Sequence, residues 1–304
     1  MNMTELSVLN EHFGIQNQLT FSEGPGGLAV VEIVNSLAVA TIALQGAHLL
    51  SWNPRGEQPV IWLSRDARFK AGQSIRGGVP VCWPWFGPHA THPSYPAHGF
   101  VRSVPWQVCE TKTLEDGATF VAFRVVRTDV TDRFWPHTSE LELGIKVGAT
   151  LELDLITRNT GPESITIGDA LHTYFAVSDV RNIAVDGLDG CTYIDKLDSD
   201  KRKQQSGPVT FAAETDRIYL DASADCLIND AGMQRRIRIG KRGSRSTVVW
   251  NPWLEKAEGM GDMGENGYLN MLCIESTNAA DDVVTIAPGD EHHLWVSYQV
   301  ESLS

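Results

Sequence analysis

From residue 28 to residue 300 the chain repeats one pattern: a short apolar run, a turn residue, and another short apolar run. The clearest case is 140–147 with 149–159. Leu141, Leu143, Ile145 and Val147 share one face of the first segment, and Leu151, Leu153 and Leu155 share a face of the second, with Glu152 and Asp154 opposite. A period of two belongs to strands, and Gly148 supplies the turn of a hairpin. The same reading predicts strands over 28–35, 38–44, 47–52, 60–62, 106–111 and 120–128. It continues over 165–171, 209–211, 218–220, 226–229, 235–239, 246–250, 270–275, 283–286 and 293–300. Only 252–258 predicts a helix, with Asn251 as cap, Pro252 at the first position and Gly259 at the end. The segment 196–205 reads as a charged loop, with Lys201, Arg202 and Lys203 at a solvated tip. Nearly twenty strands without alternating helices predict an all-β fold, a large antiparallel sandwich. No repeat or low-complexity linker divides the chain, so one domain is expected over 1–304, its core at about 21–300.

The net charge of −13 excludes some function classes. Acidic residues are spread along the chain, so no face attracts a nucleic-acid backbone. Any anionic ligand has to be held by local arginines, against the overall field. No apolar stretch approaches the ~18 residues that cross a bilayer, and residues 1–18 lack a basic region followed by an apolar run. A cytoplasmic protein without a membrane partner is expected. The cysteines at 82, 109, 191, 226 and 273 are odd in number, widely spaced and mostly flanked by apolar residues, which predicts free buried thiols.

One stretch cannot be a regular strand. Residues 74–89 crowd Gly77, Gly78, Pro80, Pro84, Gly87 and Pro88 among Trp83, Trp85 and Phe86, with Arg76, His89, His98 and Arg102 around them. Proline removes backbone donors and glycine frees the backbone, so a shaped aromatic loop is expected. Flat ring faces with arginine forks suit a ligand with apolar CH faces, hydroxyls or phosphate, which is the chemistry of a sugar. A Trp-rich core corner whose arginines cap carbonyls is the plainer reading of the loop alone. Two polar residues meanwhile interrupt apolar strands: His172 after 165–171, and Glu275 at the end of 271–274. A histidine there is usually a hydrogen-bonded core residue, whereas a buried glutamate needs a partner. Together they form a candidate acid/base pair, with Asp216 in a third polar interruption.

Other constellations are weaker. His89, His92 and His98 are separated by prolines and have no cysteine or carboxylate close in sequence, so no metal is expected. His292 and His293 adjoin on a strand and must point to opposite faces, which predicts exposed, non-chelating side chains. Nucleotide-binding glycine motifs and a Gly-x-Ser-x-Gly elbow are absent, so neither a nucleotide cofactor nor serine hydrolysis is expected.

Six motifs in order resemble one family: 74–80, 85–87, 98–102, 171–175, 214–219 and 273–276. They are similar to the hexose-6-phosphate mutarotases, the glucose-6-phosphate 1-epimerase branch of the aldose 1-epimerases, from roughly residue 21 to residue 300. The resemblance implies a galactose-mutarotase-like β-supersandwich with very little helix, a cleft on the concave sheet, no cofactor, and an isomerase acting as a monomer on a hexose 6-phosphate. It implies His172 as general acid, Glu275 as general base, Asp216 and His98 as sugar ligands, and Arg76 and Arg102 near the 6-phosphate. Trp83 and Trp85 depart from the family pattern. Two other functions are compatible with parts of this set. A sugar-phosphate sensor needs Arg76, Trp85 and Arg102 but not both His172 and Glu275; a glycoside hydrolase needs two carboxylates, such as Asp216 and Glu275.

Overall fold

A computed structural model describes residues 3–303. Two eight-stranded antiparallel sheets dominate it. The first runs, in spatial order, Lys201–Gln204, Thr192–Asp195, Thr215–Tyr219, Ser246–Asn251, Met271–Asn278, Asp169–Leu171 and Val81–Cys82, with Tyr174–Ala176 also paired to Met271–Asn278. The second runs Ala184–Asp186, Cys226–Asp230, Arg235–Arg242, Glu291–Ser302, Thr150–Asn159, Ser139–Val147, Thr119–Val125 and Trp106–Thr113. A four-stranded meander, Leu19–Glu23 to His48–Pro54, and the pair Ile165–Ile167 with Val284–Ile286 complete the β structure.

Packing follows from the pleat. In the predicted hairpin Leu143 lies opposite Leu155 and Ile145 opposite Leu153, all buried, against Leu294, Val296 and Tyr298 of the neighbouring strand. This face joins a continuous core with Phe175, Val249, Leu272 and Ile274 of the first sheet. All eight residues of Met271–Asn278 are buried, because its other face is covered too. There Met271 and Cys273 join Tyr174, Val248 and Trp250 in a second apolar cluster. A strand covered on both faces reads as a continuous apolar run, and Glu275 is its charged interruption.

Several sequence expectations need correction. The stretch expected as one strand over 165–171 is two strands in different sheets. At Gly168, between them, an added Cβ would lie 3.1 Å from the Asn278 carbonyl and 3.3 Å from the Phe86 amide nitrogen, a tight passage between sheet and loop. Residues 60–62 and 209–211 form isolated bridges only, whereas the expected loop holds the strand Lys201–Gln204. The helix near 252 is Trp253–Gly259: Pro252 is its cap residue, and Asn251 Oδ1 accepts from the Trp253 amide at 2.9 Å. Two further helices, Met3–Phe13 and Asp129–Phe134, escaped the sequence reading. The first seats Leu6, Leu9 and Phe13 on the core, and Asn10 exchanges two 2.8 Å hydrogen bonds with the Phe21 backbone, covering a sheet edge. The second carries a Thr128/Thr131 capping box. His292 is half-buried, bonding Asn278 Oδ1 at 3.0 Å, whereas His293 faces Asp154 and Glu291. All five cysteines are free. No helix among the described residues is long and apolar enough to cross a membrane.

Candidate active site

One face of the first sheet floors a cavity of about 840 Å³, and all six residues singled out in the sequence line it: Arg76, His98, Arg102, His172, Asp216 and Glu275. Alternation along Met271–Asn278 puts Glu275 on the same side as Met271 and Cys273. His172 leaves the end of Asp169–Leu171, and its amide donates to the Pro80 carbonyl at 3.0 Å. Its ring lies nearly parallel to Tyr174, centroids 5.0 Å apart, and meets the Trp250 ring edge-on at 6.1 Å. The imidazole is therefore held in one orientation by aromatic walls.

His172 Nε2 and Glu275 Oε1 are 3.4 Å apart, with the side chains 11% and 1% exposed. Glu275 Oε2 and His172 Nδ1 have no protein partner. Burial, then His98 and Arg102, pushes the His172 pKa well below its ordinary range. Burial and then Asp216 push Glu275 well above its own. Both shifts favour a neutral pair, a protonated carboxyl beside an unprotonated ring, which differs from a carboxylate beside an imidazolium only by one proton moved between Oε1 and Nε2.

The walls come from the loop and the neighbouring strands. Arg76 Nε donates to Asp262 Oδ1 at 3.1 Å and its terminal nitrogen to Tyr174 Oη at 3.1 Å. Burial opposes the charge, but Tyr174 and Asp262 more than offset it and keep the guanidinium protonated. The following Gly77-Gly78 turn is dictated by crowding: Gly78 has φ +71° and lies against the Leu49 carbonyl and the His48 ring, leaving no room for a side chain. His48, its pKa lowered to about 4 by burial despite the hydrogen bond to Gly77, stays neutral and donates from Nε2 to the Gly77 carbonyl at 2.7 Å. Arg102 donates to the Ala97 carbonyl at 2.9 Å and has no carboxylate within ion-pair distance among the described residues. Burial and Arg102 push His98 down to about 3. Its Nδ1 accepts from the Gly87 amide, which leaves Nε2–H as the donor. Burial raises the Asp216 pKa, and Lys256, 3.8 Å away, opposes the shift.

Sequence reasoning missed Tyr174, Trp250, Lys256 and Asp262, which line the same cavity. Tyr174 could have been found, since it is two residues from His172. Asp262 could not, because only the fold brings the 259–267 loop against Arg76. His89 and His92 lie outside the cavity. Among the described residues, His172, Cys273 and Glu275 alone bring three potential metal-ligand atoms together, within 4.8 Å. Burial and then Glu275 raise the Cys273 thiol well above its ordinary range, so it stays protonated. A cation there would also occupy the atoms available for proton transfer. The arrangement can therefore hold a polyol with an anionic group and move protons across it.

The chain is similar to known proteins in sequence and in fold. The profile of the aldose 1-epimerase family matches residues 29–299. A protein of Escherichia coli (strain K12) named "Putative glucose-6-phosphate 1-epimerase" is 43% identical over 243 residues, 80% of this chain and 80% of its own. The crystal structure of a protein from Salmonella typhimurium named "putative mutarotase (YeaD)" superposes with TM-score 0.89 at 35% identity, covering 95% of this chain and 96% of that one. A galactose mutarotase related enzyme from Lactobacillus acidophilus, at 15% identity and TM-score 0.72 over 90% of this chain and 98% of its own, shares the fold.

Proposed function

This chain belongs to the aldose 1-epimerase family, and from that premise we propose that it is an isomerase interconverting the α and β anomers of glucose 6-phosphate. The observation that carries the reading is the buried pair His172 Nε2 and Glu275 Oε1, 3.4 Å apart on a cavity floor with arginines in the wall. Opening a hemiacetal removes a proton from O1 and delivers one to O5, two oxygens on the same carbon. Two proton-carrying atoms side by side match that need, and each transfer contributes roughly 10² to 10⁴-fold.

The sugar supplies what the neutral pair lacks. With O1–H donating to Glu275 and O5 accepting from His172 Nε2–H, the carboxylate and the imidazolium each gain a hydrogen bond, which favours the ionic arrangement of the same proton. Glu275 takes the O1 proton as the C1–O1 double bond forms; the C1–O5 bond breaks and O5 takes the proton from His172. Rotation about C1–C2 in the open aldehyde turns the other carbonyl face to O5, and closure runs the transfers in reverse. His98 and Asp216 hold ring hydroxyls. Arg76 and Arg102 hold the 6-phosphate through charge-assisted hydrogen bonds, which a protein of net charge −13 needs locally.

NMR exchange spectroscopy on equilibrated anomers tests the reading. The protein should accelerate α/β exchange of glucose 6-phosphate well beyond that of glucose or galactose. Binding of the sugar phosphate without faster exchange would make the protein a sensor instead.

A further inference from the structure

The two arginines of the cavity are not equivalent. Arg102 carries no carboxylate partner among the described residues, whereas Arg76 is already engaged by Asp262 at 3.1 Å, the two side chains 25% and 18% exposed. Asp262 comes from the 259–267 loop, which has glycines at 259, 261, 264 and 267. That loop is tied down without the Asp262 side chain: Met263 is buried in an apolar cluster, Ser64 Oγ donates to the Asp262 carbonyl at 2.6 Å, and Arg68 to the Gly261 carbonyl at 2.9 Å. The Asp262 carboxylate can therefore turn away while its backbone stays in place. It lines the cavity on the side where Arg76 faces the ligand space.

We propose that Asp262 is a built-in competitor for the substrate's phosphate: its carboxylate holds the Arg76 guanidinium, and a phosphate dianion has to displace it or bear its repulsion. The inference rests on the reading that Arg76 holds the phosphate. Two anionic groups cannot share one half-buried guanidinium without repelling each other. Asp262 therefore weakens every phosphate ligand, inorganic phosphate included, and leaves unphosphorylated hexose alone. Tyr174, bonded to the same guanidinium, keeps the fork aimed when the carboxylate withdraws.

Asp262→Asn tests this, because the amide keeps an acceptor oxygen for Arg76 Nε and removes only the charge. Titration calorimetry with inorganic phosphate should show affinity rising about ten-fold, the scale of one charge contact in a half-buried site. KM for glucose 6-phosphate should fall in parallel, and KM for glucose should stay within about two-fold. Asp262→Ser should shift phosphate affinity in the same direction, which keeps the test available if the first variant does not fold. Unchanged or weakened phosphate binding in the folded variants would overturn the proposal and make Asp262 a positioning group for Arg76. Arg76→Ala separates the two levels. If it binds phosphate as well as the parent protein does, the phosphate reading falls and this inference with it; if it loses phosphate while Asp262→Asn gains none, only the inference falls.

Discussion

The two eight-stranded sheets share the pleat but not its covering: Thr150–Asn159 of the sheet behind the cavity sheet alternates buried and half-exposed residues, whereas Ser246–Asn251 and Met271–Asn278 of the cavity sheet are buried throughout. On the backing sheet the outward residues meet water, and Lys146 reaches Asp116 at 2.9 Å and Glu152 at 3.2 Å with all three side chains 30% exposed or more. On the cavity sheet the same pleat turns His172 and Glu275 into a space walled by aromatic side chains, and both are almost fully buried. Exposed ion pairs contribute little to stability. Buried ionisable groups change their protonation instead, and the proposed acid/base mechanism of anomer exchange uses protonation. The difference between the sheets is desolvation, and the sequence pattern follows it.

The strongest way to break that comparison is to remove a proton carrier. His172→Asn and Glu275→Gln should each lower the exchange rate on glucose 6-phosphate by roughly 10² or more while the circular dichroism stays that of the parent. Next in size is the arginine wall. Arg76→Ala and Arg102→Ala should raise KM for glucose 6-phosphate by an amount on the order of a charged hydrogen bond, about 1.5–3 kcal/mol, with KM for glucose hardly changed. Equal losses on the two sugars in steady-state kinetics would mean that these arginines order the loop. Tyr174→Phe removes one neutral hydrogen bond to Arg76, so its effect on the same KM should be about 0.5–1.5 kcal/mol.

Stability sharpens the comparison further. Glu275 binds a proton in the folded state at pH values where the unfolded chain has lost it, so its contribution is full below its ordinary range and is lost as pH rises towards the raised value. His172 has the opposite sign: neutral when folded, it favours the native state above about 6.5 and loses that contribution as pH falls. Thermal melts should therefore show Glu275→Gln gaining on the parent protein as pH rises from 5 to 8. An equal difference at both pH values would mean that the carboxyl is ionised in the folded protein. The smallest effect belongs to the backing sheet, where Lys146→Ala should change stability by no more than about 0.5 kcal/mol.

The sequence made the strands legible where one face is wet and the other dry, as in 140–159, because there the period of two is visible. It failed where both faces or neither are covered. Gly168 hid a change of sheet inside one apolar run, and Lys201–Gln204 looked like a loop because its charges are paired in surface ion pairs. The six candidate residues stand out in the sequence because they interrupt apolar strands or sit in an aromatic loop, and the fold brings them to one cavity. Their charge states were not legible, since burial is a property of the fold. Asp262 shows the same limit: nothing near it in sequence points to Arg76, which lies 186 positions away.

The central claim is that His172 and Glu275 act as one unit sharing a proton, and a double-mutant cycle read by anomer exchange tests it most directly. Rates for His172→Asn, Glu275→Gln and the double variant on glucose 6-phosphate should show the double little slower than either single, because losing one carrier already disables the pair. Losses that multiply would mean two independent roles, and singles that retain the parent rate would contradict the acid/base assignment altogether.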